Sequence, residues 1–146
     1  MKVWDGRHRT SAFQLTLEHK KTFIRNTLTF WRHETVGIPV VESVSEVALG
    51  LMADAYSRTA MTTVITLGKD GNTVRSRHGL VIHPDQTIET ATVDEILPAP
   101  RFDAPAMTME QELIRITSRY DPPTAAIVAL TMEYPWAPGY ASMALR

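Results

Sequence analysis

No cysteine occurs among the 146 residues of this chain. That excludes a disulfide framework, a thiolate zinc site and a cysteine nucleophile. No stretch approaches the about 18 uninterrupted apolar residues of a membrane helix, so nothing is expected to span a bilayer. The opening residues, Met1 to Arg7, lack the apolar core of a signal peptide, which leaves the cytoplasm as the expected compartment. Internal repeats and low-complexity runs are missing as well. Apolar residues make up 44% and charged residues 21%, the composition of a globular protein rather than a disordered tail, a collagen or a coiled coil.

The length predicts a single domain over 1–146, and a chain of this size buries roughly two thirds of its unfolded surface. The net charge is only −1, but it is unevenly placed. Residues 1–36 hold seven Lys/Arg and three acids, a balance of +4, against −5 for the rest. A basic first quarter on an acidic body fits a phosphate-bearing or acidic partner, and equally an ordinary solvated helix face.

Ser11 to Gln14 reads as a capping box. Behind it Phe13, Leu17, Ile24, Leu28 and Trp31 recur at helical spacing, with Lys20, Lys21 and Arg25 between them, predicting an amphipathic helix of about five turns. Val36 to Val41 reads as a short strand, with Pro39 favouring an edge or a strand start. Ser43 to Glu46 offers a second capping box for a helix ending near Arg58, in which Gly50 implies a close approach. Thr62–Leu67 and Thr73–His83, joined by Gly68-Lys69-Asp70-Gly71-Asn72, predict a β-hairpin with a bulge at Gly79. Thr87–Val93 adds a candidate strand. Prolines 98, 100 and 105 mark an extended connection over about 98–107. Thr108 to Gln111 is a third capping box, and Asp121-Pro122-Pro123 opens a final helix that Pro135 ends. Residues 135–146 form a tail. The expected architecture is α+β (or α/β): a mixed sheet containing the hairpin, packed by about four helices.

The most chemical-looking string is Asp5-Gly6-Arg7-His8-Arg9-Thr10-Ser11-Ala12. Free amides at a helix start carry partial positive charge, and arginine adds a planar fork for phosphate oxygens. The string therefore suits an anion cradle, or simply a capped helix with solvated arginines. It resembles the phosphate-binding motif of the ParB/sulfiredoxin-like family. The order of the Gly37-Ile38-Pro39-Val40-Val41 strand and the following helix to Arg58 extends that likeness over roughly residues 1–60. The resemblance implies phosphate contacts from Gly6, His8 and Arg9, flanked by Asp5 and Arg7, with Ser11 capping the helix. It implies a nucleotide or nucleic-acid partner, with a nucleoside triphosphate as the candidate cofactor. Position 7 is arginine where the sulfiredoxin branch has its cysteine, so that reductase chemistry is excluded.

A second similarity runs from Val64 to Leu97, through Thr73-Val74-Arg75-Ser76, Gly79-Leu80 and Pro84-Asp85. This segment is similar to the early strands of amidotransferase-like isonitrile hydratases. That family works through a cysteine, so this chain would be at most an inactive relic of it.

His8, His19, His33, His78 and His83 show no zinc-binding spacing, and no metal site is expected. Asp94, Glu95, Glu110 and Glu112 suit helix starts, where acids complement the dipole. Trp136 and Tyr140, beyond the last helix, suit a docking arm. They define the rival expectation: a non-catalytic assembly component, a homo-oligomer or a virus-like particle piece. Whether the chain is an enzyme stays open at this level.

Overall fold

The computed structural model describes residues 10–100 and 104–136. Its centre is a four-stranded sheet in the order β5-β2-β1-β6, formed by β1 (Glu34–Pro39), β2 (Thr62–Gly68), β5 (Gln86–Thr87) and β6 (Glu95–Ile96). Every pairing in it is parallel. β1 and β2 run in register from Glu34 opposite Thr62 to Pro39 opposite Leu67. Between them lies α2 (Glu46–Ser57), the crossover that a parallel pair requires. The fold is thus a single α/β domain with a parallel sheet.

The expected hairpin is not formed. Both edges of β2 are taken, by β1 on one side and β5 on the other, so no antiparallel partner can reach it. The turn itself is real: Gly71 sits at φ +74° and the Asn72 N–H donates to Asp70 Oδ1. The chain leaving it makes a separate two-stranded antiparallel ribbon, β3 (Val74–Arg75) with β4 (Val81–Ile82). Gly79 stands at φ +88° in the turn of that ribbon rather than at a bulge. Of Thr87–Val93 only Thr87 belongs to a strand.

β1 alternates as a strand must. Val36 and Ile38 are fully buried in the main core, together with Tyr56 of α2, Leu113 and Ile116 of α3 (Pro105–Arg119), and Val128 of α4 (Pro122–Thr131). Gly37 points the other way, and a Cβ there would lie 2.3 Å from Leu67 Cδ1. Leu67 therefore fills the space that a side chain at 37 would need. Gly50 shows no such reason: a Cβ there meets nothing within 4 Å, so the expected close approach is absent.

Local capping chemistry sets the helix starts. Ser45, not Ser43, caps α2, accepting from the Ala48 N–H, while Ser43 takes a left-handed φ of +62° in the loop before it. Asp121 caps α4 as expected, accepting from the Thr124 N–H at 2.8 Å, with two prolines in the first turn. α3 begins at Pro105, three residues before its expected Thr108 start, which leaves Thr108 inside the helix.

The first helix departs most from expectation. α1 (Leu17–Leu28) is capped by Thr16 and His19, and Ser11 instead opens a separate 3₁₀ turn, Ser11–Phe13, with no side-chain cap. The Thr16 hydroxyl accepts from the His19 N–H, and His19 Nδ1 accepts from the Thr16 N–H. The residues that α1 buries are Thr22 and Asn26. Leu17, Ile24 and Leu28, expected in the core, face outward. Asn26 explains the inversion. Its Nδ2 donates to the Thr59 carbonyl and to Thr124 Oγ1, both at 3.0 Å, and its Oδ1 accepts from Arg25, which also pairs with Asp121 at 2.7 Å.

Two polar locks fix the ends of the sheet. At the amino ends of the strands, Arg119 at the close of α3 makes two bonds to Glu34, the first residue of β1, and pairs with Glu95, the first residue of β6. The Tyr120 hydroxyl also donates to Glu34. Burial raises the Glu34 carboxyl, but the hydrogen bonds of Arg119 and Tyr120 outweigh it and hold the group below the usual carboxylate range. Beyond the carboxyl end of β1, Glu46 accepts from the Ser76 hydroxyl, and from His78 through its N–H and Nδ1, both at 2.8 Å. These bonds, Ser76 foremost, bring the Glu46 carboxyl down to about 2.

Two outcomes are expected. Asn26→Ala leaves the Thr59 carbonyl and Thr124 hydroxyl without their donor, and should cost about 1–3 kcal/mol, read as a lower urea midpoint at unchanged slope. Glu46, ionised well below the ordinary value of 4.5, stabilises the fold above that value and loses the contribution as pH falls toward about 2. The stability difference between the native chain and Glu46→Gln should thus be full at pH 6 and shrink through that window. A pH-independent difference would show that the Glu46 bonds do not set it.

Candidate functional site

In open parallel sheets, ligands bind beyond the carboxyl ends of the strands, where the strand order reverses. Here β1 leads through α2 to β2 on one side, while β6 lies on the other. The switch point therefore lies between β1 and β6. Two groups of polar side chains stand near it.

The first is Glu46 with Ser76 and His78. The residue types invite a catalytic reading, but the connections do not support one. Ser76 donates to Glu46 rather than to His78, and its oxygen accepts from the Leu80 N–H. No imidazole holds the serine proton, as a Ser–His pair would require. The Glu46 oxygens, the Ser76 hydroxyl and His78 Nδ1 tie the ribbon turn to the start of α2. Glu42 adds a similar tie, accepting from the Arg75 N–H. The cluster is a clamp.

The second is a cleft of about 280 Å³ between the loop after β6 and the inner face of α3. Met52 of α2 and Pro98, Ala99 and Pro100 form its walls, and Thr108, Glu112 and Arg115 of α3 supply its polar groups. Thr108 and Glu112 stand one helical turn apart, on the same face as Met109 and Ile116. The helix thus places a hydroxyl and a carboxyl on its buried stripe, where Thr108 is 1% and Glu112 2% exposed.

Their satisfaction is incomplete. Arg115 donates to Glu112 Oε1 at 2.5 Å. Glu112 Oε2 and Thr108 Oγ1 have no hydrogen-bond partner of ordinary geometry among the described residues. Burial raises the Glu112 carboxyl above the usual range, opposed by the charge of Arg115 and by the Tyr56 hydroxyl, which approaches the carboxyl as a hydrogen-bond donor. Tyr56 is itself pushed up, first by burial and then by the Glu112 charge. Buried polar atoms left unpaired cost about 1–3 kcal/mol each, and native proteins keep few of them. Here two such atoms stand on one face of one cleft.

Of the residues singled out in the sequence, Gly6, Arg7, His8, Arg9 and Tyr140 lie outside the described residues. Ser11 opens the 3₁₀ turn and does not cap α1. Trp136 is half-buried and packs against the main core. The segment Thr73–Asp85, similar to the hydratase strands, falls on the side ribbon and the loop before β5. No group of three metal-ligating side chains stands together among the described residues, and no helix there is long and apolar enough to cross a membrane. The reading of Glu112 as a helix-start acid was mistaken, because α3 starts early enough to place it in the second turn. One signal in the sequence could have found it: an acid at the fourth position after Thr108, inside the apolar run Met109, Leu113, Ile116.

No family model and no curated protein matches the chain. Among solved structures, oxidised DJ-1 of Toxoplasma gondii is similar with a TM-score of 0.58 at 15% identity, covering 70% of this chain and 100% of that one. A DJ-1 superfamily protein from Agrobacterium tumefaciens aligns with a TM-score of 0.39 at 17% identity, over 60% of this chain and 50% of its own, so this chain spans half its length. The first likeness shows the fold: a DJ-1-like α/β domain with a four-stranded parallel sheet and, among the described residues, four α-helices. It overturns the ParB/sulfiredoxin-like resemblance of residues 1–60. The nucleotide or nucleic-acid function drawn from that resemblance falls with it, and the rival assembly role of an aromatic tail gains no support from this fold.

Proposed function

We propose that this domain binds a small polar molecule in the cleft between the β6 loop and α3. The observation that carries the reading is the pair of unpartnered oxygens, Glu112 Oε2 and Thr108 Oγ1, on one buried helix face. A ligand group that donates to the carboxyl and exchanges a hydrogen bond with the hydroxyl would complete both. A primary amide, an alcohol or an amine has that chemistry. Met52, Pro98 and Pro100 would take its apolar part, and Arg115, about one third exposed, would stand over the entrance. The volume lies just below the about 300–1,000 Å³ typical of ligand pockets, and suits a small metabolite rather than a nucleoside triphosphate. The DJ-1 of Toxoplasma gondii was solved in oxidised form. With no cysteine in this chain, no thiol redox step accompanies the fold here.

The reading has a thermodynamic signature. A site that keeps an unpaired carboxyl for a ligand is less stable empty than its apolar counterpart. Glu112→Leu should therefore raise the stability of the free protein by about 1–3 kcal/mol in urea titrations. In two-dimensional NMR, acetamide, ethanolamine and ethylene glycol should include at least one compound that saturably shifts the α3 amides. Glu112→Leu and Thr108→Val should each weaken that binding at least tenfold. A Glu112→Leu protein less stable than the native chain would make Glu112 a structural group. No saturable shift from any of the three would remove the reading.

A further inference from the structure

The described surface holds 14 exposed large apolar side chains, and half of them fall between Leu15 and Trp31. That concentration is what α1 produces by turning its polar side inward. At about 100° per residue, Leu17, Ile24 and Leu28 form one line along the helix, opposite Thr22 and Asn26. They are 66%, 56% and 65% exposed. The segment continues into a 3₁₀ turn, Phe30–Arg32, where Phe30 and Trp31 meet edge to face and are 72% and 70% exposed. Beside the line, Leu15 and Phe23 join Ile24 of the line and Ile127 and Leu130 of α4 around an apolar groove of about 410 Å³. Monomeric proteins rarely leave so continuous an apolar face in water.

Charge decides what covers it. Residues 15–32 contain Lys20, Lys21, Arg25 and Arg32 against the single acid Glu18. Arg25 is engaged by Asp121, and Glu18 belongs to the first turn. Lys20 and Lys21 are exposed and flank the apolar line on its two sides. Arg32 is exposed and follows Trp31 directly. A second copy packed on this face about a twofold axis would bring these cations toward their own images, which opposes association. An anionic surface with an apolar interior satisfies every part at once. Leucine, isoleucine and the two aromatics would enter the acyl boundary, while the lysines and Arg32 would remain among the headgroups.

We infer that α1 and the Phe30–Arg32 turn form a docking face for an anionic lipid bilayer, on which the domain lies without spanning it. This is independent of the cleft on α3.

The test is flotation of the full chain with large vesicles of phosphatidylcholine alone or with 30% phosphatidylserine added, at low and high salt. Binding is expected on the anionic vesicles only, and should fall steeply with salt. Lys20→Gln with Lys21→Gln keeps the apolar face and should lower partitioning at least tenfold, at about fivefold per lysine. Ile24→Gln with Leu28→Gln keeps the charge and should abolish binding. All four positions are exposed, so thermal unfolding of both variants should match the native chain. Trp31 emission should shift to the blue on binding, a change lost in Trp31→Phe. Equal binding to both vesicle types, none to either, or indifference to the lysine changes would overturn the inference. So would a solution dimer that Ile24→Gln with Leu28→Gln dissociates, since the face would then belong to a second copy.

Discussion

One guanidinium ties the end of α3 to the sheet, beside the apolar packing of Met109, Leu113 and Ile116. Arg119, in the last turn of that helix, holds the first residues of two neighbouring strands, Glu34 of β1 and Glu95 of β6. Glu34 is the strongest influence raising the Arg119 pKa, so the cation is never in question. The Tyr120 hydroxyl adds a third donor, and burial keeps it protonated, its pKa pushed up to about 12. A helix pinned at its carboxyl end across the amino ends of two parallel strands must run back along the sheet. Its earlier turns then arrive where ligands bind in this class of fold. Thr108 and Glu112 reach the cleft because Arg119, two to three turns further on, fixes the other end.

Three polar side chains carry the structural argument, and their satisfaction separates them. Asn26 is 1% exposed, and its amide nitrogen and oxygen both have partners. Glu46 accepts three bonds from the ribbon turn. Both hold elements together, and the depressed pKa of Glu46 follows from its bonds to Ser76 and His78. Glu112 has one bonded oxygen and one orphan, and its pKa moves the opposite way. Asn26 and Glu112 are both buried, and incomplete bonding sets Glu112 apart. The same criterion removes the Ser76, His78 and Glu46 cluster from consideration, although its residue types look the more catalytic.

What could be read from the sequence follows the range of the interactions. Asp121 before two prolines announced α4, and the apolar Val36–Val41 run announced β1, because caps and strand runs are local. The Gly68–Asn72 turn was also legible, but its consequence was not. A turn between two apolar runs predicts a hairpin only if the first run has an edge free, and β2 has both edges occupied by strands that its own sequence does not name. α1 shows the same limit. Periodicity located its stripe at Leu17, Ile24 and Leu28, yet periodicity gives a line on a helix and not the direction in which it faces. Asn26 decided that direction through Thr59 and Thr124, 33 and 98 residues away. The cleft at Glu112 was not legible because it arises from Pro98–Pro100 and Met52 closing around that residue.

The attachment of α1 also bears on what the helix can do. Its inner face is joined to the body mainly by directed bonds, from Asn26 and Arg25 to Thr59, Asp121 and Thr124. Directed bonds fix rotation sharply, because a helix turned by one residue loses them all together. An apolar contact of equal strength would tolerate such a slip. The outward stripe is therefore held in one orientation, with its cations on either flank, rather than averaged over many. A face defined in this way costs the chain a continuous apolar surface in water, and folding alone gains nothing from it. On the bilayer docking inferred above, the gain would come when that surface meets a medium that accepts leucine and tryptophan on one level and lysine on the next.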